Sequence, residues 1–360
     1  MLANIDIHGD MPSTVGIFQD SGNSYELEDM LFLVPHFYYA APLNDRIWWG
    51  LGTFSRFGLG TEFEDNWEGR YNSYLAGIQS VSINPNIAWK VNDSLSLSAG
   101  LEAMWFQLEL KKKIDPTGGM ASDPLTDIDA RIKGDDYAWG WNLGMLFQPT
   151  EKMKFGLSYR STVDLEVEGN AWFNKPEILS LPDIVFPDTG AGGEVTLPDM
   201  YMAGVCYELS ERTSVEFDVV RTMWSTYDNL TINFDDPLNP QDPGSNVQSS
   251  EKNWKDTWRY QVGLEHKLGN DWTVRLGYIL DESPIPDDTV DFIAPTNDRT
   301  LYSIGTEYKR GNWTFDLSYI YIDMDDRFVS AEGRDGEGIA DARFTDSYTH
   351  LVGLTLNYSF

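Results

Sequence analysis

The stretch HLVGLTLNYSF, residues 350–360, puts Val352, Leu354, Leu356, Tyr358 and Phe360 on one face of an extended strand. Gly353, Thr355, Asn357 and Ser359 fall on the other. The same period of two returns along the whole chain. In WTVRLGYIL the apolar set is Trp272, Val274, Leu276, Tyr278 and Leu280; in WTFDLSYIY it is Trp313, Phe315, Leu317, Tyr319 and Tyr321. MKFGLSYR sets Met153, Phe155, Leu157 and Tyr159 against Lys154, Ser158 and Arg160. A period of two is a strand signal and is incompatible with a helical face.

Alternation fits two architectures, a soluble sandwich with its apolar face in a core and a membrane barrel with that face in lipid. Three features separate them. Trp or Tyr stands at the ends of many apolar faces, where an interfacial girdle needs it. Short turn signals (Asn44-Asp45, Asn92-Asp93, Pro149 to Lys152, Ser210 to Thr213, Gly269-Asn270-Asp271 and Gly311-Asn312) are flanked by alternating segments and read as tight hairpins. Between the hairpins lie long acidic stretches at 113–136, 170–193, 235–250 and 326–341. Short turns on one side and long loops on the other characterise an outer-membrane barrel. The expected fold is all-β, a transmembrane antiparallel barrel, with residues 1–360 forming one barrel domain. Negative mean hydropathy and the absence of any run of about 18 apolar residues do not oppose this, because only every second residue meets lipid.

Six hairpins supply twelve strands and the terminal strand a thirteenth. Bacterial single-chain barrels usually have even counts, so LANIDIH (2–8) is expected to be the tail of a further strand whose beginning lies outside this chain. MLANIDIHGDMPST has neither the basic start nor the apolar core of a signal peptide. With 26 basic and 57 acidic residues the net charge is −31, which excludes nucleic acid as a partner. The lone Cys206 permits no intrachain disulfide. No Gly-x-Ser-x-Gly setting, no His-x-x-x-His and no paired cysteines occur, so neither catalytic nor metal-ligating residues are assigned, and no cofactor. His266 and His350 fall on the apolar phase near strand ends, as interfacial rings.

Long stretches resemble the FadL/TodX family of outer-membrane transporters for long-chain fatty acids and hydrocarbons: VPHFYYAAPLNDRIWWGLGTFSRFGLGTEFEDNWEGRY (34–71), INPNIAWKVNDSLSLSAGLEAMW (83–105) and WKDTWRYQVGLEHKLGNDWTVRLGYILDESPIPDD (254–288). The resemblance runs from about residue 3 to Phe360. It implies a fourteen-stranded barrel in the outer membrane of a Gram-negative bacterium, and an N-terminal hatch that is not found ahead of strand one here. It also implies that Phe360 ends the strand presented to the barrel-assembly machinery. The expected partners are a fatty acid or hydrocarbon ligand, outer-membrane lipid and lipopolysaccharide, with the barrel a monomer. The rival classes are a lipid-modifying enzyme and a plain solute porin.

Candidate site residues follow from the resemblance read onto this sequence. Gly58, Leu59 and Gly60 interrupt the third strand, where the family has an inward kink and a lateral opening; a simple corner glycine is the alternative. In MWFQLELKKKID the apolar phase switches, with Leu101, Ala103 and Trp105 on one face and Phe106, Leu108 and Leu110 on the other. That switch implies a bulge or a strand leaving the lipid zone, with Phe106 and Leu108 turned inward. Lys112 matches a basic position near the ligand's carboxylate in the family. A second such position falls near Ser250, beside Lys252. A solvated rim, or contact with lipopolysaccharide phosphates, is the competing reading of Lys111–Lys113. The loops carrying Ile114, Met120, Leu125 and Ile128, and Trp172, Phe173, Ile178, Leu179, Leu181, Ile184, Val185 and Phe186, match the family's outer capture groove. Trp172, Phe173 and Phe186 are its expected ligand contacts.

Overall fold

The computed structural model describes residues 2–8, 24–28, 31–116, 123–334, 337–339 and 341–360. Its strands begin with β1 (Leu2–His8), β2 (Ser24–Glu26), β3 (Phe37–Pro42), β4 (Ile47–Phe54) and β5 (Leu59–Glu62). Next come β6 (Leu75–Lys90), β7 (Leu95–Ile114), β8 (Ile128–Thr150), β9 (Met153–Arg160) and β10 (Val163–Asn174). They are followed by β11 (Thr189–Leu197), β12 (Met200–Ser210), β13 (Thr213–Thr222), β14 (Asn229–Phe234), β15 (Val247–Glu251) and β16 (Thr257–Lys267). The last are β17 (Trp272–Asp281), β18 (Arg299–Arg310), β19 (Trp313–Met324), β20 (Arg327–Val329) and β21 (Ala342–Tyr358).

Antiparallel pairing builds the wall in the order β3–β4–β6–β7–β8–β9–β12–β13–β16–β17–β18–β19–β21–β1, fourteen strands among the described residues. β1 pairs with the outer half of β21, from Leu2↔His350 to His8↔Arg343. Below it the ends of the wall approach through side chains. His36 Nε2 lies 3.3 Å from Thr355 Oγ1, and the rings of Tyr39 and Phe360 stack at 5.7 Å. The terminal aromatic is therefore part of the seam. All six turn signals connect paired hairpin strands, and Gly311 adopts a left-handed φ of 61° that its tight turn requires.

The outward face is apolar. Val81, Ile83 and Ile87 on β6, Leu276 and Leu280 on β17, and Phe315 and Leu317 on β19 point away from the barrel. Trp48, Trp89, Trp272, Trp313, Tyr358 and Phe360 ring the hairpin end, while Trp139, Trp258, Tyr260 and Tyr302 stand outward toward the loop end. No helix among the described residues is long and apolar enough to cross a membrane. The inner face of the lower barrel is polar. There Arg275 bonds Glu265 at 2.8 Å, Glu307 at 2.5 Å and Asp316 at 3.0 Å.

Above the membrane β8 forks. Its Asn142–Thr150 part pairs with β9, but Asp129–Asp135 pairs with β10, which continues through β11 and β14 to β15. Sequence length and acidity mark parts of this region as loop; the alternation in VDLEVEGNAWFN shows instead as buried Val163, Leu165, Val167, Ala171 and Phe173. Leu276→Arg should cost about 2–4 kcal/mol of barrel stability, the charge falling at mid-bilayer depth. Denaturant unfolding in liposomes checks it, and a change below about 0.5 kcal/mol, the scale of an ordinary surface site, would show that this face does not meet lipid.

Candidate functional site

The site grows from the inner face of β7, whose even-numbered residues are Glu102, Met104, Phe106, Leu108, Leu110 and Lys112. The β7–β8 register is unbroken from Leu95↔Phe147 to Ile114↔Ile128, so the phase switch is no bulge. The strand leaves the lipid zone: Leu97 and Leu101 face outward below, and the inner face turns apolar above. Phe106 is 1% exposed and packs with Met104, Ala138, Val163, Leu165 and Leu197, while Leu108, Ile78 and Phe57 press against that cluster.

Above Leu108 opens a cavity of about 450 Å³. Leu110, Lys112 and Ile114 of β7, Ala130 and Ile132 of β8 and Phe173 of β10 form one side. Leu230, Ile232 and Phe234 of β14, Val247 to Ser250 at β15, and Asp291 and Ile293 form the other. Mostly apolar walls with a few convergent polar groups are the usual form of a small-molecule pocket. β14 was not legible as cavity wall, because its sequence neighbours are acidic loops.

The three lysines differ. Lys111 lies 3.8 Å from Glu109, and Lys113 3.1 Å from Asp65 and 3.4 Å from Asp129. Lys112 has no ion pair among the described residues. Burial, then the positive charge of Lys252, holds its ammonium below the ordinary lysine range. Lys252 is 3% exposed and is paired with Asp291, so it stands behind the cavity with its charge met. Ser250, the other position singled out, lines the cavity opposite Lys112.

The outer apolar residues divide. Phe173 is buried in a cluster with Ile128, Ala130, Ala171, Ala191, Phe234 and Leu238. Phe186 packs behind it at 5.7 Å, held in left-handed backbone (φ 49°) by its N–H donating to Leu238 O at 2.8 Å. Trp172 points to the opposite face of the sheet, under the guanidinium of Arg131 at 5.3 Å, and does not line the cavity. Leu125, Ile178 and Ile184 are exposed. Met120 lies outside the described residues.

The third strand is broken between Phe54 and Leu59. β4 pairs with β6 down to Phe54↔Ser82, and β5 resumes at Leu59↔Ile78, so four residues, Ser55 to Gly58, oppose three. Gly58 lies in the break, whereas Leu59 and Gly60 are already back in the ladder; the interruption starts earlier than the glycines suggest. Gly60 is packed under the ring of Phe32, which a Cβ would meet at 2.0 Å. The segment bends inward: Phe57 reaches Trp224 at 5.6 Å, and Arg56 Nη2 donates to Ser161 O at 3.0 Å and Pro198 O at 2.8 Å.

A second, larger cavity of about 590 Å³ is the lower lumen, lined by Glu216, Asp218, Glu265, Arg275 and Asp316 among others. Its charges suit water, not an apolar ligand. His266 meets Thr213 Oγ1 at 2.9 Å and His350 meets Tyr319 at 2.8 Å; neither contacts a serine in these bonds. No cluster of metal-ligating side chains occurs among the described residues.

The two inner lysines should respond oppositely to truncation. Lys252→Met leaves Asp291 buried and unpaired and should cost about 3–5 kcal/mol. Lys112→Met removes a desolvated charge with no ion-pair partner among the described residues and should leave the urea midpoint unchanged or raised. Equal losses in the two variants would contradict this assignment of the charges.

The chain is similar to known proteins in sequence and in fold. The chain is 26% identical over 353 residues to the long-chain fatty acid transport protein of Escherichia coli O6:H1, covering 91% of this chain and 77% of the relative. It is 25% identical to outer membrane protein P1 of Haemophilus influenzae over 99% of this chain and 84% of that one. Among solved structures, a Pseudomonas aeruginosa FadL homologue superposes with a TM-score of 0.86 at 20% identity, covering 100% of this chain and 88% of the homologue. The P. putida toluene transporter TodX superposes with a TM-score of 0.73 at 16% identity, covering 99% and 88%. Residues 1–360 match the family described as outer membrane protein transport protein (OMPP1/FadL/TodX), and the chain belongs to that family of Gram-negative outer-membrane transporters of fatty acids or hydrocarbons.

Proposed function

We propose that this chain conducts long-chain fatty acids passively across the outer membrane. The observation that carries the reading is Lys112, a cation without an ion-pair partner among the described residues, on the wall of a mostly apolar cavity below which the inner face of β7 stays apolar. A carboxylate placed there supplies the charge partner that Lys111 and Lys113 have and that Lys112 lacks among the described residues. Phe106, Leu108 and Phe173 then flank the tail, with Ser250 a donor opposite the head. Exposed Leu125, Ile178 and Ile184 form the apolar landing surface above the cavity. Exit is sideways at Ser55–Gly58, where the wall ladder is interrupted. Transfer into lipid supplies the driving force, about 0.8 kcal/mol per buried methylene. Trp172 contributes to the outer surface, and Lys252 acts through Asp291 in shaping the cavity. The barrel works as a monomer among lipid and lipopolysaccharide, its Phe360 strand having served assembly.

A second reading, an uncharged aromatic or aliphatic hydrocarbon, is favoured by the net charge of −31, which repels anions at long range. Competition separates the two. Oleate should displace a fluorescent fatty acid at lower concentration than toluene. Lys112→Met should weaken oleate about tenfold or more, the loss of one charge-assisted hydrogen bond, and leave toluene unaffected. Oleate affinity should fall as pH rises, beginning below the ordinary lysine range, because the lowered pKa of Lys112 makes it lose its proton early. Toluene displacing the probe first, with no effect of Lys112→Met, would favour the hydrocarbon reading.

A further inference from the structure

The apolar inner face of β7 has ions at both ends. Lys112 stands at the top and Glu102 ten residues lower, about 33 Å along the strand at ~3.3 Å per residue. Glu102 is fully buried and shared. Its Oε2 lies 3.5 Å from Arg56 Nη1 and 3.4 Å from Arg160 Nη1, while Ser82 Oγ donates to Oε1 at 2.7 Å. One carboxylate thus serves two guanidinium groups. The nearest further acid, Asp199, is engaged by the hydroxyls of Tyr159 and Tyr201.

Arg56 is underused. Its side chain is 4% exposed, and only Nη2 makes hydrogen bonds, to Ser161 O and Pro198 O. Nε and Nη1 are buried without a hydrogen-bond partner among the described residues. Buried charged donors left unmade are costly, and the arrangement persists where a function uses them. Arg56 is also within the break in the third strand, its guanidinium 5.0 Å from the ring of Phe57, which packs against Phe106's cluster. Between the two ends this face carries Met104, Phe106, Leu108 and Leu110 and no charge, with Met104 and Phe106 packed in the buried cluster and Leu110 on the cavity wall.

We propose that Arg56, supported by Arg160, is a second head-group station, where the carboxylate of a long-chain fatty acid is bound after leaving Lys112 and before its exit through the wall. This rests on the fatty-acid reading of the upper cavity. The anion takes up the hydrogen bonds that Arg56 Nε and Nη1 lack, while the tail remains against the apolar face of β7. A ligand without an acidic head has no use for this station, so it acts on acids alone.

The test is photo-crosslinking of the full chain in detergent with a long-chain fatty acid bearing a diazirine on the carbon next to the carboxylate, adducts being mapped by mass spectrometry. Wild type should show two sets, one around Lys112 and Ser250 and one around Phe54–Gly58 and Ser161. Arg56→Met should lose at least four-fifths of the second set and keep the first, which also proves the variant folded, and Arg56→Lys should restore a large part of it. The corresponding fatty alcohol should give no adducts in the second set. Adducts around Lys112 but none around Arg56, or a second set unchanged in Arg56→Met or equally formed by the alcohol, would overturn the second station and leave the upper cavity intact. Absence of both sets would overturn the fatty-acid reading itself.

Discussion

Inside a bilayer no water is available to a backbone N–H or C=O, and every such group must be satisfied within the protein. The wall of this chain answers with an antiparallel ladder from β3 round to β21 and β1, and its period of two and tight hairpins follow from that need, while below β1 the two ends of the wall meet through side chains at Tyr39 and Phe360. The break in the third strand is informative because it violates the rule locally and repairs it with side chains. Phe57 N donates to Ser80 Oγ at 3.1 Å, Ser80 Oγ donates back to Phe57 O at 2.5 Å, and Arg56 caps two carbonyls across the lumen. A loop without those hydroxyls would expose bare polar groups. Ser80 and Arg56 satisfy backbone groups where the ladder is interrupted.

Two kinds of interior are stacked in the one barrel. The lower lumen holds Arg275 between three carboxylates, with Glu216 and Asp218 nearby, a surface that remains hydrated. The upper interior is walled by β7, β8, β10 and β14 and is apolar apart from a few placed groups. The boundary is set on β7, where the inner face passes from Glu102 to Met104. The break in the third strand, at Ser55–Gly58, lies at the level of that boundary, where Arg56 Nη1 is 3.5 Å from Glu102 Oε2.

Much of the wall was legible in the sequence, because lipid demands strict alternation and the girdle demands aromatics at strand ends. Each hairpin turn was marked by its Asn, Asp, Gly or Ser. The outer sheet of β10, β11, β14 and β15 was harder: clear of the membrane, its strands carry acids on one face and read as loop by composition. The site was legible only in part. Phe106, Leu108 and Phe173 alternate correctly and stand where their phase puts them. Lys112 and Lys252 look alike as isolated cations, yet among the described residues only Lys252 has a buried carboxylate, Asp291, supplied by a loop about 40 residues away in sequence. In the sequence glycine is the visible signal, so Gly58–Gly60 mark the break, whereas Ser80 and Arg56, which satisfy its backbone, look ordinary.

On the reading proposed above, ligand resides on the apolar inner face of β7 with Lys112 at its head. A crystal of the protein grown with a fatty acid brominated near its methyl end tests this through the anomalous signal of bromine. The account predicts bromine against Phe106 and Leu108, with the carboxylate density beside Lys112. Bromine in the lower lumen near Arg275, or confined to the outer surface near Ile178 and Ile184, would contradict it.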